Sequence, residues 1–315
     1  MIRYLLGRAP SIAVVVFLAS IVAFMLPRLA PGDPATILAG PDATPDIVDA
    51  IRREVGLDQP LIVQYLNWVS GIFRGDLGTS YISNRPITEL ILGRAESTLE
   101  LAGLAALFMI VLALVLGLLG GSVRSRTGRV VLDIVSTAMI SMPAFLIGLI
   151  LIVVFGVLLK ALPVSGELNM SEDFFGGLRY LLLPAIAIAL SHAAVIARLL
   201  QTSMLTVRGE EFVDLATAKG VSPARITFRH VLPASLETAI VAIGLRIGEL
   251  IGGAIIIEAI FSRSGLGQLM IQAVNTRDYF VVQALVIGAV IVAILSQLIS
   301  EIVAASLDPR IRLEA

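Results

Sequence analysis

Residues 99–121 read LELAGLAALFMIVLALVLGLLGG, 23 positions with one charge, Glu100. As a helix this run is about 35 Å long, enough to cross the roughly 30 Å hydrocarbon layer of a bilayer. Working outward, five more apolar stretches stand at 11–26, 131–159, 180–200, 239–257 and 279–299. The whole chain of 315 residues is 57% apolar before its 27 glycines are counted, and only 15% charged. Soluble domains sit near 45–50% apolar, glycine included, and about 25% charged. Water cannot accommodate that excess, whereas lipid can cover it. The chain reads as an all-α membrane protein with six transmembrane helices.

The first stretch follows Arg3 and Arg8, as the core of a cleavable leader would. The residues after it, Pro27, Arg28, Leu29, Ala30 and Pro31, make a poor cleavage site, so it is read as a retained anchor. Pro143 stands near the middle of 131–159, which is long enough to tilt or kink there; Pro184 lies near one end of 180–200.

Composition excludes several functions. A net charge of −1 provides no field to gather nucleic acid. The absence of cysteine removes disulfides, thiol redox chemistry and cysteine-based zinc sites, and two histidines, His192 and His230, make a histidine-rich metal site implausible. The two lysines, Lys160 and Lys219, end no G-x-x-x-x-G-K run, so the chain has no phosphate-cradling loop of its own.

Arginines in short loops set orientation. Arg3 and Arg8 precede the first stretch; Arg124, Arg126 and Arg129 crowd the turn between the second and third; Arg310 and Arg312 lie in the tail. Six spans put all three groups on one side, so both termini are expected to be cytoplasmic. The opposite side would carry the acidic connection 161–178, with Glu167, Glu172 and Asp173, and a long segment, 30–97, with an amphipathic run at 46–55. The expected organisation is a tail and first span at 1–29, an extracytoplasmic segment at 30–97, a core membrane domain at 98–310 with a cytoplasmic loop at 202–236, and a tail at 311–315.

That loop is more structured than a linker. Residues 210–221 place Phe212, Leu215, Ala216 and Lys219 at helical spacings, and Gly220 suits a helix stop. Ser222–Pro223 then restarts a helix, with the serine as cap, and Leu232–Pro233 is expected to end it before the next span. From periodicity alone, a solvated connector explains this hairpin equally well.

The spacing of Asp214, Leu215, Ala216, Gly220, His230, Leu232 and Pro233 resembles the E-A-A-x-x-x-G-x9-I-x-L-P loop of bacterial ABC importer permeases. Asp214 replaces the glutamate, Leu215 the first alanine and His230 the isoleucine. Other matches follow in order: Pro31-Gly32-Asp33-Pro34, Gly56-Leu57-Asp58, Pro60-Leu61, Gln64-Tyr65, Gly75-Asp76-Leu77-Gly78, Ser80 and Thr98-Leu99-Glu100-Leu101-Ala102. Beyond the loop stand Glu258 with Phe261, Gly265-Leu266-Gly267 and Arg277-Asp278-Tyr279. From about residue 3 to 310 the chain resembles the dipeptide/oligopeptide/nickel permease family, its B-type member with the long first exterior loop. Ser264 and Phe280 depart from it, since proline is usual at both places.

The resemblance implies the type I ABC importer permease fold in a bacterial cytoplasmic (inner) membrane. It implies a non-catalytic subunit with no cofactor or metal of its own. Its partners would be a second homologous permease, two ATPase subunits or domains that bind ATP and Mg, and an extracytoplasmic solute-binding protein. The loop would be the coupling helix that docks into the ATPase, through Phe212, Asp214, Leu215, Ala216, Gly220, His230, Leu232 and Pro233. Peptides are the expected cargo, with nickel or another solute as the alternative.

Charges inside a span demand a reason, because each costs about 2.5–3.5 kcal/mol at helix centre on insertion scales. Arg246 and Glu249 are three apart and able to pair. They read equally as lining a translocation path for a zwitterionic solute or as an ion pair locking helices together. Glu258 and Phe261 are assigned to an exterior gate on that path, Arg198 to snorkelling and His192 to hydrogen-bonded packing. Gly117, Gly120 and Gly121, and again Gly244, Gly248 and Gly252, form small-residue stripes that let helices approach. An intramembrane hydrolase is disfavoured, because Ser191 and His192 are neighbours and diverge by roughly 100° on a helix. An ion-coupled carrier is the rival transporter, but it would favour an internal repeat that the sequence does not display.

Overall fold

The computed structural model describes residues 2–29, 33–40, 42–123 and 125–307. Pro31, Gly32, Arg124, Arg310, Arg312 and the expected tail 311–315 lie outside the described residues. Thirteen α-helices appear among those described, with no strand beyond one isolated bridge between Thr79 and Pro86. In order they are α1 (Ile2–Met25, followed by a 3-10 turn at Leu26–Leu29), α2 (Pro34–Ala39), α3 (Pro45–Glu54), α4 (Leu61–Phe73) and α5 (Ile87–Ser122). Then come α6 (Arg126–Ser141), α7 (Ala144–Leu151), α8 (Phe174–Arg208), α9 (Glu211–Ala218), α10 (Pro223–Ile226), α11 (Leu232–Ile260), α12 (Leu266–Asn275) and α13 (Tyr279–Leu307). Wide π-helical turns follow α7 at Ile152–Leu158 and α10 at Thr227–Val231.

Four continuous helical stretches are long and apolar enough to cross a membrane: α5, α8, Pro223–Ile260 and Tyr279–Ile299. The stretch expected as one kinked span at 131–159 is broken instead. Its two arms, Arg126–Ser141 and Ala144–Leu158, meet at 103°. Pro143 is the cause: it offers no amide hydrogen to α6 and pushes Met142 into extended backbone (φ −89°, ψ 122°). The apolar part of α1, Pro10–Met25, is shorter than the other spans.

The chain divides into two compact units. The first is built on Thr98–Arg263 with the last turns of α13, and α8 runs through its core. Ala187, Ile188, Ala193, Ile196, Leu200 and Met204 of that helix are fully buried. The glycine stripe of α5 explains how closely α5 approaches α8. A Cβ at Gly117 would stand 2.8 Å from Leu200 Cδ2, and one at Gly121 2.8 Å from Met204 Cβ. Asp173 caps α8 by accepting from the amides of Phe175 and Gly176, both at 3.1 Å. Pro184 lies within α8 without breaking it.

The second unit comprises Arg8–Ser97 and Ser264–Val292. Its core joins Ile87 to Leu269, Ala273, Val281 and Leu285. Asp278 is tied there by the Ser80 hydroxyl, which donates to Oδ2 at 2.5 Å. Phe24, Tyr65 and Trp68 form an aromatic cluster with ring centroids 5.4–6.2 Å apart. The amphipathic run at 46–55 is α3, and α5 begins at Ile87, twelve residues before the apolar stretch that announced it.

Candidate functional site

The hairpin expected at 202–236 is shorter than the sequence implies. α8 continues to Arg208, and the helix restarting at Pro223 does not stop at Leu232–Pro233. A proline ring at 233 would collide with the carbonyl four residues back in a regular α-helix. The π-helical turn at Thr227–Val231 covers that carbonyl, so the chain runs on into α11. What projects beyond the helices is α9 with its flanking turns.

Two bonds fix the base of this element. Arg208 Nε donates to the Gly121 carbonyl at 2.9 Å, and its Nη2 donates to Thr227 Oγ1 at 2.8 Å. α9 closes in a Schellman motif: the Gly220 amide donates to the Thr217 carbonyl at 2.9 Å and the Val221 amide to the Ala216 carbonyl at 3.1 Å. Gly220 has φ +75°, and nothing lies within 4 Å of where its Cβ would be. Glycine is required there by backbone conformation and not by space. The Ser222 side chain makes no capping bond, contrary to expectation; the Ile226 amide takes the Ser222 carbonyl instead.

α9 is amphipathic in place. Val213 faces inward and is buried, Ala216 is half-buried, and Asp214, Phe212 and Leu215 are exposed, the last two by 45% and 57%. His230 and Pro233 are exposed and Leu232 half-buried. Phe228 was not singled out from the sequence, yet it is 59% exposed. Large exposed apolar side chains at the polar end of a helical bundle supply area for a protein partner.

A second group lies within the spans. Arg246 Nη1 donates to Glu249 Oε2 within α11, and His192 Nδ1 of α8 stands 3.6 Å from the same oxygen. His192 is thereby drawn to the pair from which sequence reading separated it. Arg246 and Glu249 are 33% and 49% exposed. Ions so exposed in a span cannot be left facing hydrocarbon, so this face requires water or protein against it. Between the two ions in sequence, a Cβ on Gly248 would meet Ser296 at 3.1 Å, whereas Gly252, about one turn further on, has open space. Because α8 runs on to Arg208, the exposed Arg198 stands ten residues before its end and not close to it as the sequence implies.

Glu258 and Phe261 do not join that group. Both are buried in the first unit rather than lining an open surface. Glu258 Oε1 accepts from Thr98 Oγ1 at 2.6 Å, and the Phe261 carbonyl accepts from the Gly166 amide at 3.1 Å. Beside them Arg263 is fully buried, 3.8 Å from Glu100 and 3.9 Å from Glu167. Burial pulls its guanidinium below the usual range, and the carboxylates of Glu167, Glu100 and Glu258 oppose that. Glu100 also accepts from the Met170 amide at 2.8 Å. These four ionic residues are scattered along the sequence and leave no periodic trace, which is why the cluster escaped notice. Among the described residues no group of three or more His, Asp or Glu side chains is arranged to hold a metal.

Comparison with known proteins gives this geometry its class. Residues 109–313 match the family described as binding-protein-dependent transport system inner membrane component, and residues 1–102 match its N-terminal counterpart. The chain belongs to this family: it is a multi-pass inner-membrane permease of the ABC transport type and not a catalytic protein. Among its relatives is a probable peptide ABC transporter permease protein, y4tP, of Sinorhizobium fredii, 34% identical over 98% of this chain and 99% of that one. The glutathione transport system permease protein GsiC of Escherichia coli is 32% identical over 99% of both. A chain of the MetNI methionine ABC transporter, in an inward-facing conformation, shares the fold with a TM-score of 0.58 at 18% identity, covering 70% of this chain and 96% of that one.

Proposed function

We propose that this chain is one of two permease subunits of an ATP-driven importer of peptides or peptide-like solutes. The observation that carries the reading is α9, a short helix presenting Phe212 and Leu215 to solvent and closed by the left-handed turn at Gly220. Such a rigid, apolar-tipped element suits a docking groove, and we assign it to the ATPase, with Asp214, Ala216, His230, Leu232 and Pro233 around the contact. ATP and Mg belong to that partner. The chain then crosses the bacterial membrane six times, with α1 and the broken α6–α7 pair each counted once and both termini cytoplasmic. The peptide and glutathione systems named for its relatives support the cargo class. The exposed ions Arg246 and Glu249, with His192, favour a second permease across a polar path. A solute-binding protein delivers cargo from outside.

The test is reconstitution. Co-expression with the neighbouring permease and ATPase genes and purification through this chain should recover all of them. Proteoliposomes holding the assembly and its binding protein should take up labelled dipeptide or glutathione only with ATP. Uptake driven by an ion gradient without ATP, by this chain alone, would overturn the reading.

A further inference from the structure

Within the second unit, α4 reads LIVQYLNWVSGIF, thirteen residues without a charge. At about 1.5 Å per residue it is roughly 20 Å long, too short to cross the roughly 30 Å hydrocarbon layer. An apolar helix of that length belongs either in a protein core or at a membrane surface. The core is excluded, because no residue of α4 is buried.

Its apolar side chains are gathered on one face. Ile62, Leu66, Val69 and Phe73 fall within about 60° of one another at about 100° per residue. Ile62 is 73% exposed, Leu66 58% and Phe73 86%, with Val69 half-buried. Such a stripe marks an interaction surface. Gln64 and Asn67 lie on the opposite side and bond within their own unit. Gln64 Nε2 donates to the Gln59 carbonyl at 2.8 Å, and Asn67 Nδ2 to Gln59 Oε1 at 3.3 Å.

Contacts with α1 show what covers the stripe. Tyr65 donates to Ser20 Oγ at 2.7 Å, since that hydroxyl gives its own hydrogen to the Phe17 carbonyl. Ser20 is five residues before the end of α1 at Met25, about 8 Å along the helix axis. The Tyr65 and Trp68 rings meet Phe24 with centroids 5.4 and 5.9 Å away. α4 therefore packs on the last two turns of α1. That helix exposes Phe17, Leu18 and Val22 there, the surface a span turns to lipid. Lipid around this part of α1 reaches α4 as well, and tyrosine and tryptophan are the side chains favoured at that depth. Arg74, exposed directly after α4, keeps its charge in water.

We propose that α4 is an interfacial helix whose Ile62, Leu66, Val69 and Phe73 stripe is seated in the outer leaflet, at the boundary of headgroups and acyl chains. The stripe continues the lipid-facing surface of α1 and offers a protein partner no polar group for orientation. The extracytoplasmic segment is thereby held at a fixed height over the bilayer. This anchoring requires α1 to span the membrane, whereas neither the cargo nor the ATPase bears on it.

The chain has no cysteine, so single nitroxide labels can be placed without background. Ile62→Cys, Leu66→Cys and Phe73→Cys are compared with Asn67→Cys on the polar side and Leu18→Cys on α1. Each full-length variant is labelled and reconstituted alone in vesicles of phosphatidylcholine and phosphatidylglycerol. Paramagnetic resonance then reads collisions with oxygen, which concentrates in lipid, and with a water-soluble chromium complex. The oxygen-to-chromium ratio at positions 62, 66 and 73 is expected to be at least threefold that at 67, and below that at 18. The three stripe side chains are exposed, so melting temperatures should hold, and a variant that unfolds leaves the other two to report. Chromium access at the stripe equal to that at position 67 would overturn the proposal. Shielding from both reagents would also overturn it, because that marks a second copy of the chain as the cover. Chromium access that is lost only when the solute-binding protein is added would assign the face to that protein instead. A lipid-exposed label at position 18 with a watery stripe defeats the anchor alone, whereas water at position 18 defeats the span as well.

Discussion

Replacing Gly220 isolates the mechanical role of the hairpin from its surface chemistry. The residue has φ +75°, and a Cβ there would meet nothing within 4 Å. A side chain is therefore penalised by the backbone alone, by about 1–2 kcal/mol for an ordinary residue and up to about 3 kcal/mol for a β-branched one. At about 1.4 kcal/mol per tenfold, Gly220→Val shifts the hairpin equilibrium by roughly 5- to 150-fold away from the observed turn. Relaxation would break the two Schellman bonds to Thr217 and Ala216 and re-aim α9. Asparagine tolerates the left-handed region, so Gly220→Asn should behave nearly as wild type and Gly220→Ala should fall between. The assay is paired: membrane level of the chain by blotting, then ATPase co-purification and ATP-driven uptake in proteoliposomes. The expected result is unchanged insertion with co-purification and uptake graded Gly, Asn, Ala, Val. Equal uptake by all four would refute the coupling role and leave α9 a connector.

Three further outcomes are expected. Ala216→Arg, which puts a bulky charge beside Phe212 and Leu215 on α9, should insert normally but lose ATPase association in a pull-down. Arg246→Leu/Glu249→Leu should assemble yet import slowly or with altered preference; if the two ions serve only as a brace, exchanging them should restore the expression lost in the single variants, and wild-type import by the double leucine variant would remove both from the path. Gly117→Val adds a branched side chain where even a Cβ falls 2.8 Å from Leu200, so it should cost about 1–3 kcal/mol or more and lower the detergent melting temperature by several degrees.

Apolar runs announced the membrane class and most of the spans because lipid leaves so few alternatives for a 20-residue hydrophobic segment. They failed where polarity and secondary structure part company. α5 starts at Ile87 because Glu89, Arg94 and Glu96 are helical without being apolar, a difference that hydropathy cannot register. Pro143 and Pro233 look alike in sequence, yet one folds the chain back by 103° and the other is absorbed in a widened turn. What differs is the surrounding packing, which no local window contains. The turn at Gly220 was legible, since a left-handed stop has its own residue type. The approach of His192 to Glu249, and of Arg263 to Glu100 and Glu167, was not, because each joins residues dozens of positions apart.

The break at Pro143 bears on how the chain enters its membrane. The arm Ala144–Leu158 is about 22 Å long, well short of the roughly 30 Å hydrocarbon thickness. The next helix, α8, is 35 residues long and largely shielded by neighbours, since 61% of its most apolar window is buried. An insertion machinery that weighs segments singly would find the first too short to span, and the second packed mainly against protein that surrounds it in the finished fold. The two pack against each other in the folded protein. The short arm is therefore expected to enter the membrane together with α8, whose packing against it supplies the cover that its own length does not.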